Sequence, residues 1–91
     1  MDLMTEDSLI AYFLGALSES ESRRLEEESL RNEDLFDQLH LTEEALIDAY
    51  VRGEMALERK THFERDYLNT QRRRETVALA KALIQKYNTA N

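Results

Sequence analysis

Two glycines and no proline are all the strong backbone punctuation this 91-residue chain carries. Glycine and proline set tight turns and end helices, so a chain this poor in them has little means of making the many turns of a β-sandwich or barrel. Ala, Leu, Glu, Arg, Lys and Gln dominate the sequence, and all of them are good helix formers. The expected fold class is therefore all-α, a single small domain over residues 1–91 with a core that must be efficient or shared with a partner. The chain contains no cysteine, which excludes a disulfide scaffold, a thiolate metal site and a thiol nucleophile. No apolar run approaches the roughly 20 residues that span a bilayer, and no signal peptide is expected at its start.

Caps and periodicity predict five or six helices. A first helix over about 5–14 carries the apolar stripe Leu9, Ile10, Phe13 and Leu17, and Gly15 is placed to stop it in the left-handed conformation. Ser18 and Glu21 form an S-x-x-E capping box that opens a polar helix over about 19–31, in which Leu25 and Leu30 are the only large apolar residues. Asn32 caps a third helix with the face Leu35, Phe36 and Leu39. At Thr42 the chain either starts a fresh helix or continues unbroken through Leu46, Ile47, Tyr50 and Val51 to the second stop, Gly53. A helix over about 56–68 presents Leu57, Phe63, Tyr67 and Leu68. Thr70 caps the last helix, about 71–87, whose face is Val77, Ala80, Leu83, Ile84 and Tyr87. The tail from Asn88 to Asn91 is expected to fray.

Overlaying Gly15 on Gly53 brings the first half of the chain into register with the second. Ala11 then meets Ala49, Tyr12 meets Tyr50, Glu26 meets Glu64 and Leu30 meets Leu68. Leu9 meets Ile47, Leu17 meets Met55, Leu25 meets Phe63 and Leu39 meets Val77. The matches fall at the helix stop and on the apolar faces. They predict two similar helix-Gly-helix halves, about 8–41 and 46–79.

Charge is divided between the two ends. Residues 1–48 hold 14 acidic and 3 basic side chains, and residues 49–91 hold 5 acidic and 9 basic. Such a chain can steer a protein of complementary charge, and solvation of helix faces accounts for the same pattern. The one basic cluster, Arg72, Arg73 and Arg74, is followed at once by Glu75, too little for direct nucleic-acid binding. No catalytic set emerges. His40 and His62 lie far apart in sequence on different predicted helices, Glu26, Glu27 and Glu28 point to different sides of one helix, and no serine has a base and an orienting acid near it in sequence. No cofactor or metal site is expected.

The segments Tyr12-Phe13-Leu14-Gly15-Ala16-Leu17-Ser18-Glu19-Ser20-Glu21 and Leu46-Ile47-Asp48-Ala49-Tyr50-Val51-Arg52-Gly53-Glu54-Met55, the latter followed by Phe63-Glu64-Arg65-Asp66-Tyr67-Leu68, resemble the zinc-finger domain of bacterial anti-sigma factors. That family reads L-x-A-Y-L-D-G-E-L-S-x-x-E, then a helix ending H-L-x-x-C-x-x-C. The resemblance runs once through each half. The family's zinc ligands would fall at Ser29, Glu33 and Phe36, and again at Tyr67, Gln71 and Arg74, none of which can complete a thiolate–imidazole set. Ala56 also stands where the pattern has a capping Ser.

The resemblance thus implies a zinc-less, duplicated relative, in which apolar packing does the work of the metal. It implies a bacterial, cytoplasmic regulatory domain at the N-terminus of a longer chain, ahead of a membrane helix or sensor region. The implied function is non-catalytic, the binding of a sigma factor or other transcription component. The alternative is a helical assembly module, forming homodimers or tethering a longer membrane-linked protein. The expected contact residues are Phe13 and Leu14, taken as more apolar surface than a thin core can cover, with Arg72, Arg73 and Arg74.

Overall fold

The first helix, α1 (Glu6–Phe13), starts where the Thr5 hydroxyl accepts the Ser8 amide at 3.2 Å. The second, α2 (Glu19–Arg31), opens on the predicted capping box. The Ser18 hydroxyl accepts the Glu21 amide at 3.2 Å, and the Glu21 carboxylate accepts the Ser18 amide at 3.1 Å. Asn32 closes α2 and caps α3 (Glu33–Val51) through its side-chain oxygen. A short α4 (Leu57–His62) widens into a π-helix over Phe63–Tyr67, and α5 (Gln71–Thr89) follows from the Thr70 cap. This computed structural model describes residues 5–89 and contains no strand among them. Across the described residues the fold is all-helical, with five α-helices. Of the tail expected to fray, Asn88 and Thr89 continue α5, while Ala90 and Asn91 lie outside the described residues. No helix among the described residues is long and apolar enough to cross a membrane.

Both glycines adopt φ +72°, and each closes its helix in the same way. The Ala16 amide donates to the Ala11 carbonyl at 2.9 Å and the Gly15 amide to that of Tyr12 at 3.4 Å. At the second stop, Glu54 donates to Ala49 at 2.9 Å and Gly53 to Tyr50 at 3.2 Å. These are Schellman closures, which satisfy carbonyls that would otherwise end the helix unpaired. A cross-helix bond is also repeated at the same offset. The Tyr12 hydroxyl donates to Glu26 and the Tyr50 hydroxyl to Glu64, both at 2.7 Å.

Thr42 does not interrupt α3, which runs for 19 residues and packs against α1, α2 and α5. Its first half shares the Leu9, Leu25 and Leu35 cluster with α1 and α2. Its second half gives Leu46 and Ile47 to the larger cluster of Phe13, Leu14, Phe63, Tyr67 and Val77. In the π-helix the Leu68 amide reaches back to the Phe63 carbonyl at 3.1 Å, and the widened turn sets the Phe63 and Tyr67 rings stacked at 4.6 Å, both sealed from solvent.

Several apolar residues sit where periodicity did not place them. Phe13 and Leu14 are only 7% and 8% exposed, so they are core and not the uncovered pair expected of them. The reason is the π-helix, which packs against α1 and brings the Tyr67 ring to 6.1 Å from Phe13, edge to face. Leu30, Phe36, Leu57, Leu83 and Tyr87, expected on buried faces, are exposed. One central helix cannot cover every stripe of its neighbours.

The two helix stops differ in one respect that a substitution reads directly. A Cβ on Gly15 would lie 2.9 Å from the Asp66 side chain, whereas Gly53 has open space. Gly53→Ala should lose roughly 1–2 kcal/mol from its left-handed backbone alone. Gly15→Ala should lose clearly more in urea melts, because Asp66 must also shift. Equal losses would mean that the Asp66 contact carries no weight. Ala56 lends α4 no side-chain cap, so Ala56→Ser should raise stability by about 1 kcal/mol.

Candidate functional site

An unbroken α3 places Phe36, His40, Glu43 and Ile47 at successive helical turns on one face. Beside them the first turns of α5 bring Arg72, Arg73 and Thr76. Between the two helices opens a cleft of about 760 Å3 lined by His40, Glu43, Ile47, Tyr67, Arg72 and Arg73. A smaller hollow of about 210 Å3, lined by Phe36, Ser29 and Tyr12, continues it past His40, Glu43 and Arg73.

Tyr67 is the floor of this cleft. Its hydroxyl donates to Glu43 at 2.6 Å, and the Arg73 guanidinium carbon sits 4.6 Å from its ring centroid, a cation–π geometry. Burial, and after it the Glu43 carboxylate, hold the Tyr67 hydroxyl far above the ordinary tyrosine range. Tyr67 therefore stays protonated and serves as a wall and a hydrogen-bond donor. Burial and then the bond to Glu26 likewise push Tyr12 up to about 12, and the bond to Glu64, followed by burial, raises Tyr50.

The three arginines have separate fates. Arg73 is half-buried over Tyr67, with Nη1 3.5 Å from the Tyr67 carbonyl. Arg74 Nη1 donates to the Leu68 carbonyl at 3.0 Å. Both cations thus sit at the C-terminal end of the preceding helix, where the dipole favours positive charge. Arg72 is exposed and lines the cleft. Phe13 borders the smaller hollow from within the core, and Leu14 is buried in the same cluster. The structure thus groups Arg72 and Arg73 and leaves Arg74 and Leu14 apart from the cleft.

His40 lies edge-on to Phe36 at 4.6 Å, while the Arg65 guanidinium donates to His62 Nδ1 at 2.8 Å and that nitrogen lies 3.7 Å from Asp66. Of the positions where the resemblance would set zinc ligands, Ser29, Tyr67, Gln71 and Arg74 make bonds of their own. The Ser29 hydroxyl donates to the Glu26 carbonyl at 2.7 Å, and the Gln71 amide to Glu75 at 2.9 Å. Tyr67 and Arg74 make the bonds described above. Among the described residues, no group of three or more His, Cys, Asp or Glu side chains is arranged to hold a metal. Compared with protein-family models, with curated proteins and with solved structures, the chain matches none.

Sequence reasoning passed over Glu43, and it took Phe36 for core. The signal for both was the spacing 36, 40, 43 and 47, legible once α3 is continuous. The cleft can receive a carboxylate on Arg72, whose planar fork suits bidentate pairing, and an apolar side chain against Phe36.

The raised tyrosines make a pH test. In the unfolded chain these hydroxyls titrate near 10.0 and in the fold they titrate higher. Their contribution is therefore complete below pH 10 and is lost as pH rises toward and beyond 12. The melting temperature should fall from pH 9 to pH 11, and Tyr67→Phe should shrink that fall. An unchanged fall in Tyr67→Phe would remove Tyr67 as a contributor.

Proposed function

We propose that this chain is a non-catalytic protein-interaction domain of anti-sigma type, built from two copies of one helix-Gly-helix unit. The duplication is supported by the Schellman stops at Gly15 and Gly53 and by the Tyr12–Glu26 and Tyr50–Glu64 bonds, which recur at the same offset as the stops. The segments that carry the family resemblance are the ones that form these stops and caps. Zinc plays no part in this reading. Stacked Phe63 and Tyr67 supply packing that a metal would otherwise provide.

The observation that carries the interaction reading is the α3–α5 cleft, open to solvent and bordered by exposed Phe36, His40 and Arg72. Aromatic and arginine side chains gathered in a concave surface favour a protein partner. The partner suggested by the resemblance is a sigma factor or another transcription component, which would bring carboxylates to Arg72. The exposed apolar residues of α5 favour a second reading, a helical assembly module.

Titration calorimetry against purified sigma factors of the source organism tests the first reading. Arg72→Glu should weaken binding at least about tenfold and leave stability within about 0.5 kcal/mol. Arg73→Glu should weaken binding and also destabilise the fold by roughly 1–2 kcal/mol, since it puts a carboxylate beside Glu43 and removes the cation over Tyr67. Absence of binding to every sigma factor, or binding indifferent to Arg72→Glu, would sink the proposal.

A further inference from the structure

On a different face from the arginine cleft, α1, α3 and the turn after Gly53 enclose a groove of about 690 Å3. Its floor is low and apolar: Ala45 and Ala49 of α3 lie between Ile10, Met55 and Leu41, and Leu41 is 65% exposed. Glu6 and Glu54 stand on its rim together with Arg59. The turn that borders it departs from the equivalent turn after Gly15. Ser18 there caps α2 with its hydroxyl, whereas Ala56 here lines the groove and leaves α4 without a side-chain cap. Where a capping hydroxyl would stand, the groove has the Ala56 methyl group.

The same chain carries a surface of matching chemistry. Helix α5 holds five basic side chains and one acidic. Leu79, Leu83 and Tyr87, spaced i, i+4 and i+8, form an exposed stripe along it, with Leu83 at 50% and Tyr87 at 77%. At about 1.5 Å per residue the stripe is roughly 12 Å long, and the α3 wall of the groove from Gln38 to Ala49 is roughly 16 Å. The groove belongs mainly to the acidic half of the chain and the stripe to its most basic helix.

We propose that the groove binds α5 of a second copy of this chain, a basic amphipathic helix laid in an acid-rimmed apolar groove. Groove and stripe are different surfaces, so the contact is head-to-tail and leaves one of each open on a pair. It involves no sigma factor, so it stands or falls separately from the regulatory reading.

Sedimentation equilibrium of the full chain from about 5 to about 500 µM, at low salt and in added sodium chloride, tests it. The average mass should rise with concentration, and salt should weaken the association. Leu41→Glu in the groove and Leu83→Glu on the stripe each replace an exposed residue, so the helical spectrum should stay unchanged while association weakens at least about tenfold. Mixed together, the two variants should form a one-to-one pair and nothing larger, because each keeps the surface the other lacks. A wild-type chain that stays monomeric throughout overturns the proposal, including the case in which the groove takes only a foreign helix. Association that ignores Leu41→Glu, as pairing of α5 with α5 would, overturns it as well, and so does a mixture that fails to pair.

Discussion

Everything in this domain leans on α3 being one helix. Nineteen residues without a break let its first half close the Leu9, Leu25 and Leu35 cluster and its second half close the Phe63 and Tyr67 cluster. A chain of this length buries a modest share of its surface, and two separate small cores would each be thin. A rigid shared helix joins them. It also fixes Phe36, His40 and Glu43 in one line beside the start of α5, so the cleft and the core depend on the same continuity.

The aromatic residues show what the shared core permits. At the offset that sets Gly15 on Gly53, Leu25 and Ser29 of α2 fall at Phe63 and Tyr67 of the π-helix. Ser29 resolves its burial locally, by a bond to the Glu26 carbonyl. Tyr67 is longer and resolves its own across the structure, with a bond to Glu43 and a guanidinium over its ring. A buried hydroxyl without a partner would cost about 1–3 kcal/mol. The arginine run is thereby divided into anchors and one free arm, a distinction its composition does not contain.

Much of the architecture was legible from caps. Ser18 with Glu21, Asn32, Thr70 and the two glycines each act through a local bond, and the helix ends they predict agree with the structure to within a few residues. Periodicity did less well with burial. Leu57 and Leu30 fit apolar stripes but face no neighbour, and Phe13 and Leu14 looked like excess surface only because the widened turn at Phe63 was invisible. A π-helix follows from tertiary packing of two large rings, not from the preferences of the five residues that form it. The cleft was half legible: Arg72 and Arg73 were in view, while Glu43 could be placed only after Thr42 proved to continue α3.

The span of the cross-helix ties bears on how the chain reaches this fold. Tyr12 and Glu26 are 14 residues apart, as are Tyr50 and Glu64, and the longest such tie, Tyr67 to Glu43, covers 24. Closing loops this short sacrifices little chain entropy. Topologies dominated by near-neighbour contacts fold on the microsecond-to-millisecond scale. Each Gly-stopped hairpin can therefore form from a contiguous stretch soon after it is synthesised. The Tyr67–Glu43 tie closes the wider stretch, between the π-helix and the middle of α3.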